Sequence, residues 1–77
     1  MGLVQILGLN VRRVRLAKGF SQQRLGEESG FERSYISDLE RGTRNPSVQA
    51  LERLAIALAV EPAELLKEVE PDKAEKQ

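Results

Sequence analysis

The chain is 77 residues long, has no cysteine and no histidine, and carries twelve basic (Lys and Arg) and twelve acidic (Asp and Glu) side chains. A chain of this size forms one domain, which buries roughly 60% of the surface that the unfolded chain exposes. The absence of imidazole and thiol groups excludes the commonest zinc ligands and the most frequent general base. We therefore expect a binding module rather than an enzyme, with no metal and no other cofactor.

The neutral total charge is the sum of two halves of opposite sign. Residues 1–44 contain eight basic and five acidic side chains and so have a net charge of +3, whereas residues 45–77 contain four basic and seven acidic ones and have a net charge of −3. A neutral average over such halves differs from a uniformly neutral surface. The N-terminal half is predicted to face an anionic partner, and the acidic half to lie away from it.

Glycine, proline and capping residues divide the sequence into five short helical stretches, which predicts an all-α fold. A glycine follows each of the first three stretches, at Gly19, Gly30 and Gly42, where it can adopt the left-handed conformation that ends a helix. Ser21 and Ser47 are suitable N-caps for the second and fourth stretches. In chain order, the predicted helices comprise about residues 7–18, 22–29, 32–41, 48–60 and 62–69.

Two prolines mark the ends of the fifth stretch. Pro62 stands at the preferred first position of a helix, and Pro71 ends it. The polar residues 72–77 predict a disordered tail. We therefore expect one domain over residues 1–71, with no targeting signal, no membrane-spanning segment and a cytoplasmic location.

The third predicted helix has two distinct faces on a helical wheel. Ile36 and Leu39 fall on the inward side. Arginine can bond to both O6 and N7 of guanine, and serine allows a close approach, so a stripe of these residues suits the major groove of DNA. On composition alone, an ordinary solvent-exposed face is the more frequent explanation. The polar stripe comprises Arg33, Ser34, Ser37 and Arg41.

The neighbouring residues favour a helix-turn-helix. Leu25 is the apolar anchor of the short second helix, and Gly26 permits a close helix crossing. Gly30 then supplies the left-handed residue of a tight turn, and Phe31 fills the corner. Together with Ile36, this spacing is typical of two helices that pack at a steep angle.

The segment from residue 21 to residue 47 carries a long motif of spaced residues. These are Ser21-Gln22-x-x-Leu25-Gly26-x-x-x-Gly30-Phe31-x-Arg33-Ser34-Tyr35-Ile36-Ser37-x-Leu39-Glu40-Arg41-Gly42-x-Arg44-x-Pro46-Ser47. The motif resembles the Cro/C1-type (XRE-family) helix-turn-helix, and the resemblance covers about residues 7–69. There are two departures: Gly26 replaces the usual alanine, and Glu32 stands where Ser, Thr or Asp commonly caps the recognition helix.

The resemblance implies a fold and a function. The expected fold is a compact five-helix, lambda-repressor-like domain whose helix-turn-helix spans about residues 21–42. The expected function is a nucleoid-associated transcription regulator that binds double-stranded DNA in a sequence-specific manner. In a homodimer of such domains, the two recognition helices would read two half-sites of a palindromic operator, about 34 Å apart. We expect no small-molecule effector, and RNA polymerase is a further candidate partner.

The resemblance and the polar stripe together suggest roles for individual residues. Arg33 is the first candidate for reading bases, followed by Ser34 and Ser37. Gln22 and Ser47 begin helices, whose free N–H groups attract phosphate, although either residue can equally be a simple cap. The candidate phosphate contacts are Gln22, Tyr35, Arg41, Arg44 and Ser47.

Three further residues near the stripe are considered individually. Tyr35 could stack on the sugar-phosphate backbone or cover the edge of the core, and the sequence favours neither. Asp38 would repel phosphate unless it pairs with a cytosine amine or an arginine, so we leave it outside the site. In the family that the motif resembles, an arginine of the first helix pairs with the glutamate that corresponds to Glu40. This predicts a partly buried structural ion pair between Arg15 and Glu40.

The fourth predicted helix is apolar on every side over residues 54–60. One small core cannot cover such a helix from one side, so we expect part of it to meet a second copy of the chain. A wholly intramolecular core is the alternative. The apolar residues Leu3, Val4, Ile6 and Leu7 could extend the first helix or join the interface. The candidate interface residues are Ile56, Val60, Leu65, Leu66 and Val69.

Several narrower interpretations of the function, and one rival to it, stay open. Small stand-alone proteins of this family resemble controllers of restriction–modification systems, whose recognition region is similar to residues 33–45. Phage-type repressors and antitoxins share the architecture. A protein-interaction module that kept the fold but lost DNA binding is the rival from another class, and such a module need not retain Arg33, Arg41 and Arg44.

Overall fold

The computed structural model describes residues 1–69, and every regular element in that range is helical. This confirms the all-α prediction, whereas the predicted tail at residues 72–77 and the last two residues of the predicted domain lie outside the described range. The elements are α1 (Leu3–Ala17), α2 (Gln22–Ser29), α3 (Arg33–Glu40), α4 (Val48–Leu58) and a 3₁₀ turn (Pro62–Leu65).

All five elements contribute to one core. Its centre is completely shielded from solvent, and the partly buried Phe20, Phe31, Tyr35, Leu51 and Leu66 pack around it. α2 and α3 pack mainly through Leu25, Ile36 and Leu39, the inward residues of the helix-turn-helix. The core residues are Leu7, Val11, Val14, Leu25, Ile36, Leu39, Leu54, Ala55, Leu58 and Leu65.

Local capping determines where the central helices begin and end, as the sequence predicted. The hydroxyl of Ser21 accepts a hydrogen bond from the main-chain N–H of Arg24 at 2.9 Å. The hydroxyl of Ser47 accepts one from the N–H of Ala50 at 3.0 Å. Gly30 ends α2 with a φ of 83°, in the left-handed region that favours glycine. These bonds satisfy N–H groups that the first turn of a helix leaves without partners.

The predicted fifth helix is wrong: residues 62–69 contain a single 3₁₀ turn that ends at Leu65. The side-chain amide of Asn10, which is 1% exposed, donates to the carbonyl of Leu65 at 3.0 Å and to that of Lys67 at 2.8 Å. In a continued α-helix the carbonyl of Leu65 would accept from the N–H of residue 69, and the carbonyl of Lys67 would require an N–H at residue 71. Residue 71 is Pro71, which has no N–H, so Asn10 supplies a donor that the continued helix lacks.

The structure also corrects one residue of the predicted dimer interface. Leu65 is completely buried inside its own chain, because the 3₁₀ turn directs it into the core. Leu66 and Val60 are partly buried against the same core. Ile56, by contrast, is 71% exposed and Val48 is 83% exposed. α4 therefore packs one face inward and leaves Val48 and Ile56 in solvent, with the exposed Glu52 between them along the same side of the helix.

Two glycines allow the helices to approach each other closely. A Cβ atom on Gly8 would lie 2.3 Å from the carbonyl oxygen of Leu39, so α1 contacts the end of α3 through bare backbone. A Cβ atom on Gly26 would lie 2.5 Å from the carbonyl oxygen of Phe31. The second contact agrees with the predicted close crossing at Gly26, and it explains why alanine does not stand there in this chain.

A buried ion pair connects three helices. Arg15 Nε donates to Oε2 of Glu40 at 2.6 Å, and Arg15 Nη2 donates to Oε1 at 3.0 Å. Arg15 Nη1 donates to the carbonyl of Phe20 at 2.8 Å, and Gln22 Nε2 donates to Oε1 of Glu40 at 3.1 Å. The side chains of Arg15 and Glu40 are 9% and 3% exposed. Both charges are therefore out of water and satisfied by several hydrogen bonds, which a buried pair requires.

Arg15→Ala should lower the free energy of unfolding by about 3–5 kcal/mol, because it leaves the Glu40 carboxylate buried without its cation. Urea denaturation followed by circular dichroism measures the change. Arg12→Ala is the matched control on the same helix: Arg12 is exposed, and its removal should change stability by less than about 0.5 kcal/mol. An Arg15→Ala protein that unfolds at the same urea concentration as the parent would contradict the role given to the pair.

Candidate nucleic-acid interface

One face of the molecule combines the polar side of α3, the start of α2 and the loop that leads to α4. Arg33, Ser34, Arg41 and Arg44 are exposed on it, as is Ser47, whereas Gln22, Tyr35 and Ser37 are half-buried. The opposite side of α3 carries Ile36 and Leu39, both completely buried. The core contacts therefore orient α3 with its polar stripe outward.

Arg33 is the first residue of α3 and is exposed. It shares a shallow depression with Gln23, Glu27 and Glu32, yet within residues 1–69 no ion pair and no side-chain hydrogen bond engages its guanidinium. All five donors of that group are consequently available to an external acceptor. Ser34 lies next to it, also exposed.

The other two arginines of the face share one carboxylate. Arg41 Nη2 donates to Oδ1 of Asp38, and Arg41 Nη1 donates to the hydroxyl of Ser37 at 3.0 Å. Arg44 Nη2 lies 3.6 Å from Oδ2 of Asp38. The sequence analysis left Asp38 outside the site, but the structure brings it between Arg41 and Arg44. The signal for its pair with Arg41 was present, since residues three apart are neighbours on a helix.

A column of stacked side chains runs from α4 to the same face. The guanidinium of Arg53 lies 4.2 Å from the ring centroid of Phe31, whose ring stacks on Tyr35 at 4.4 Å with an angle of 12° between the planes. The guanidinium of Arg44 lies 4.7 Å from the centroid of Tyr35. These contacts link the four side chains in the order Arg53, Phe31, Tyr35, Arg44. Tyr35 thus covers the edge of the core and also supports a basic side chain.

Arg53 has a second role, which the sequence analysis missed. Its Nε donates to the carbonyl of Ser29 at 3.1 Å, and its Nη2 donates to the carbonyl of Gly30 at 2.9 Å. A residue of α4 thereby caps the end of α2 and stabilises the turn before α3. No local pattern could have revealed this contact, because the partners are more than twenty residues apart in sequence.

Gln22 and Ser47 stand at the first turns of α2 and α4. The amide of Gln22 donates to Glu40, so its orientation is determined by the Arg15–Glu40 pair. The hydroxyl of Ser47 caps α4. Both are thus structural residues at helix N-termini, where the partial positive charge favours an anion such as phosphate.

Residues 1–69 contain no group of three His, Cys, Asp or Glu side chains that could bind a metal ion. No helix of that segment is both long enough and apolar enough to span a membrane. An apolar groove lies between the start of α1 and the start of α4 and adjoins the polar face at Ser47, which is one of its lining residues. Its lining includes Leu3, Val4, Leu7, Val48, Leu51 and Leu66.

The chain was compared with known proteins. The helix-turn-helix family model matches residues 11–65. The control protein C.BamHI of Bacillus amyloliquefaciens is 47% identical over 62 residues, which are 79% of this chain and 76% of that protein. The regulator SinR of Bacillus subtilis is 38% identical over 64 residues, 82% of this chain and 58% of SinR.

A solved structure agrees in fold as well as in sequence. The crystal structure of the restriction-modification controller protein C.AhdI from Aeromonas hydrophila matches with a TM-score of 0.78 at 45% identity, covering 80% of this chain and 94% of that one. The match confirms the resemblance that the spaced motif indicated. The chain therefore belongs to the helix-turn-helix family of transcription regulators.

Proposed function

We propose that this chain is a homodimeric, sequence-specific DNA-binding regulator that controls a restriction–modification system. The observation that carries DNA binding is the polar stripe of α3, which is exposed while the opposite side of the helix is packed in the core. The narrower function is supported by similarity that extends over 76% of C.BamHI and 94% of C.AhdI. A phage-type repressor or an antitoxin with the same architecture is the alternative.

Base readout is assigned to Arg33, Ser34 and Ser37. With α3 in the major groove, the guanidinium of Arg33, which has no ion-pair partner in residues 1–69, can bond to both O6 and N7 of one guanine. This arginine–guanine contact is the commonest specific one in protein–DNA complexes. Ser34 and Ser37 are short enough for the helix backbone to approach the base edges.

Phosphate contacts are assigned to the rim of the same face. Arg41 and Arg44 are long, exposed cations of the loop between α3 and α4. Gln22 and Ser47 stand at helix N-termini, and the hydroxyl of Tyr35 supplies a further donor. Such contacts position the protein on the duplex and carry no sequence information.

Dimerisation is assigned to the exposed apolar side of α4 and the segment after it. Ile56 is 71% exposed, and Val60, Leu66 and Val69 are only partly covered by the chain's own core. A two-fold axis there would leave both α3 helices free to enter successive major grooves, about 34 Å apart. A dimer on adjacent operators could also contact RNA polymerase.

Selection from a randomised pool of duplex DNA should enrich a palindrome. Two arginine–phosphate contacts in each protomer, at Arg41 and Arg44, predict that log K falls with log salt concentration with a slope of about −3 to −4. The binding isotherm at several salt concentrations measures the slope. An absence of enrichment at low salt would refute the proposal and favour a protein-interaction module.

Arg33→Ala and Arg44→Ala should weaken binding in different ways. Arg33→Ala should reduce operator affinity by about 1–3 kcal/mol and relax the base preference at one position of each half-site. Arg44→Ala should weaken all sequences about equally and make the salt slope less steep. Repeated selections with both variants measure the preference, and identical profiles would overturn this division of roles.

Ile56→Lys should convert the dimer into a monomer and reduce operator affinity about 100-fold or more, because the second half-site no longer binds in the same complex. Light scattering after size exclusion measures the mass. Leu16→Lys is the matched control, since Leu16 is 54% exposed near the end of α1, outside the assigned interface. If Ile56→Lys stays dimeric, the two copies must meet elsewhere.

A further inference from the structure

Asp38 is an acidic residue placed among side chains that we assign to phosphate. We propose that Asp38 is a specificity-determining residue: in the DNA-free protein its carboxylate occupies the position at Arg41 and Arg44 that a DNA phosphate takes in the complex, and it thereby selects against non-specific DNA. The inference rests on the proposed function, since it concerns how the same face distinguishes an operator from other duplexes.

The geometry is that of one anion between two cations. Oδ1 of Asp38 accepts from Arg41, and Oδ2 lies 3.6 Å from Nη2 of Arg44, so each carboxylate oxygen serves a different arginine. Nη1 of Arg41 also donates to the hydroxyl of Ser37, and the guanidinium of Arg44 lies over the ring of Tyr35. A phosphate offers the same two-oxygen acceptor to a pair of guanidinium groups.

The carboxylate of Asp38 is not needed to end α3. The main-chain carbonyl of Asp38 accepts from the N–H of Arg41 at 3.2 Å and from the N–H of Thr43 at 3.0 Å, so backbone bonds close the helix. The side chains of Arg41 and Arg44 are 62% and 47% exposed, and that of Asp38 is 33% exposed. Ion pairs this exposed contribute little to stability, which makes an exchange of Asp38 for phosphate easy.

Asp38 compensates the charges of Arg41 and Arg44 but not the charge of Arg33 on the same face. Arg33, the candidate for base readout, has no carboxylate within ion-pair distance among residues 1–69, although Glu32 precedes it in the chain. Asp38 therefore reduces the attraction of exactly those arginines whose contacts carry no sequence information. The effect is a lower affinity for the DNA backbone while base recognition is left intact.

The entropy cost of ordering the arginine side chains differs between the operator complex and a non-specific complex. In both complexes phosphate must displace the Asp38 carboxylate from Arg41 and Arg44, and the carboxylate then lies near phosphate. In the operator complex, however, these side chains must also adopt one defined arrangement, which costs conformational entropy. Asp38, Ser37 and Tyr35 already restrict them in the free protein, so part of that cost is absent. Asp38 consequently weakens non-specific binding more than operator binding.

The test compares Asp38→Asn with Glu28→Gln. Glu28 also pairs with an exposed arginine on its own helix, Arg24, at 3.0 Å, so the control removes the same charge from a similar pair outside the face. Binding to the selected operator and to a random-sequence duplex of equal length is measured at several salt concentrations. The unfolding temperatures of parent and variants are recorded first.

Asp38→Asn should bind the random duplex about 3- to 10-fold more tightly than the parent. Its salt slope should be steeper by about 0.9, because one more phosphate contact is uncompensated. Operator affinity should rise less, so the ratio of operator to random affinity should fall about 3-fold. Glu28→Gln should change every affinity by less than about 2-fold, since its charge is screened from the DNA.

The outcomes separate the two proposals. A parent protein that binds neither duplex refutes the proposed function itself. A parent that binds its operator, with Asp38→Asn behaving as Glu28→Gln on random DNA, overturns the inference alone. Should Asp38→Asn unfold, the ¹³C signal of the Asp38 carboxyl in the parent decides: it shifts on addition of random duplex if the arginines leave it, and an unchanged signal contradicts the exchange.

Discussion

The ion pair between Arg15 and Glu40 is the constraint on which the arrangement of the polar face depends. Glu40 is the last residue of α3, and Arg15 fastens it to α1 with two hydrogen bonds. Gln22 donates to the same carboxylate, so the start of α2 is oriented by the end of α3. Because this end of α3 is also where Gly8 brings α1 into backbone contact, the pair and the close approach specify one position for the helix. The tilt of the polar stripe follows from that position.

The other end of α3 is positioned by α4. Arg53 caps the end of α2 and stacks on Phe31, which stacks in turn on Tyr35. The helix-turn-helix is therefore fixed by α1 at one end and by α4 at the other, with Ile36 and Leu39 packed between them. Since α4 also carries the exposed Ile56, the assigned dimer interface and the recognition helix are connected by a short path of packed side chains. In the proposed dimer, such a path would hold the two α3 helices at a defined separation.

Features determined by neighbouring residues were predictable from the sequence, and features determined by distant ones were not. The caps at Ser21 and Ser47 and the turn at Gly30 depend on bonds within one turn of helix, and the structure contains them as predicted. The prediction of a fifth helix was wrong because Asn10, which lies 55 residues before Leu65 in the chain, donates to the main-chain carbonyl of Leu65. Leu65 is buried for the same reason. Asp38 was left outside because a pair with an arginine was treated as the exception, and its contacts with Arg41 and Arg44 depend on the course of the loop after α3. The outward orientation of the polar stripe was visible in the helical period, whereas the difference between the engaged Arg41 and the unengaged Arg33 required coordinates.

The stacked column has an optical consequence. Tyr35 is the only tyrosine of the chain, and there is no tryptophan, so the intrinsic fluorescence of the protein comes almost entirely from one ring on the recognition helix. That ring contacts both Phe31 and the guanidinium of Arg44, and its emission is therefore sensitive to the departure of either neighbour. The unlabelled protein thus contains its own spectroscopic reporter on α3.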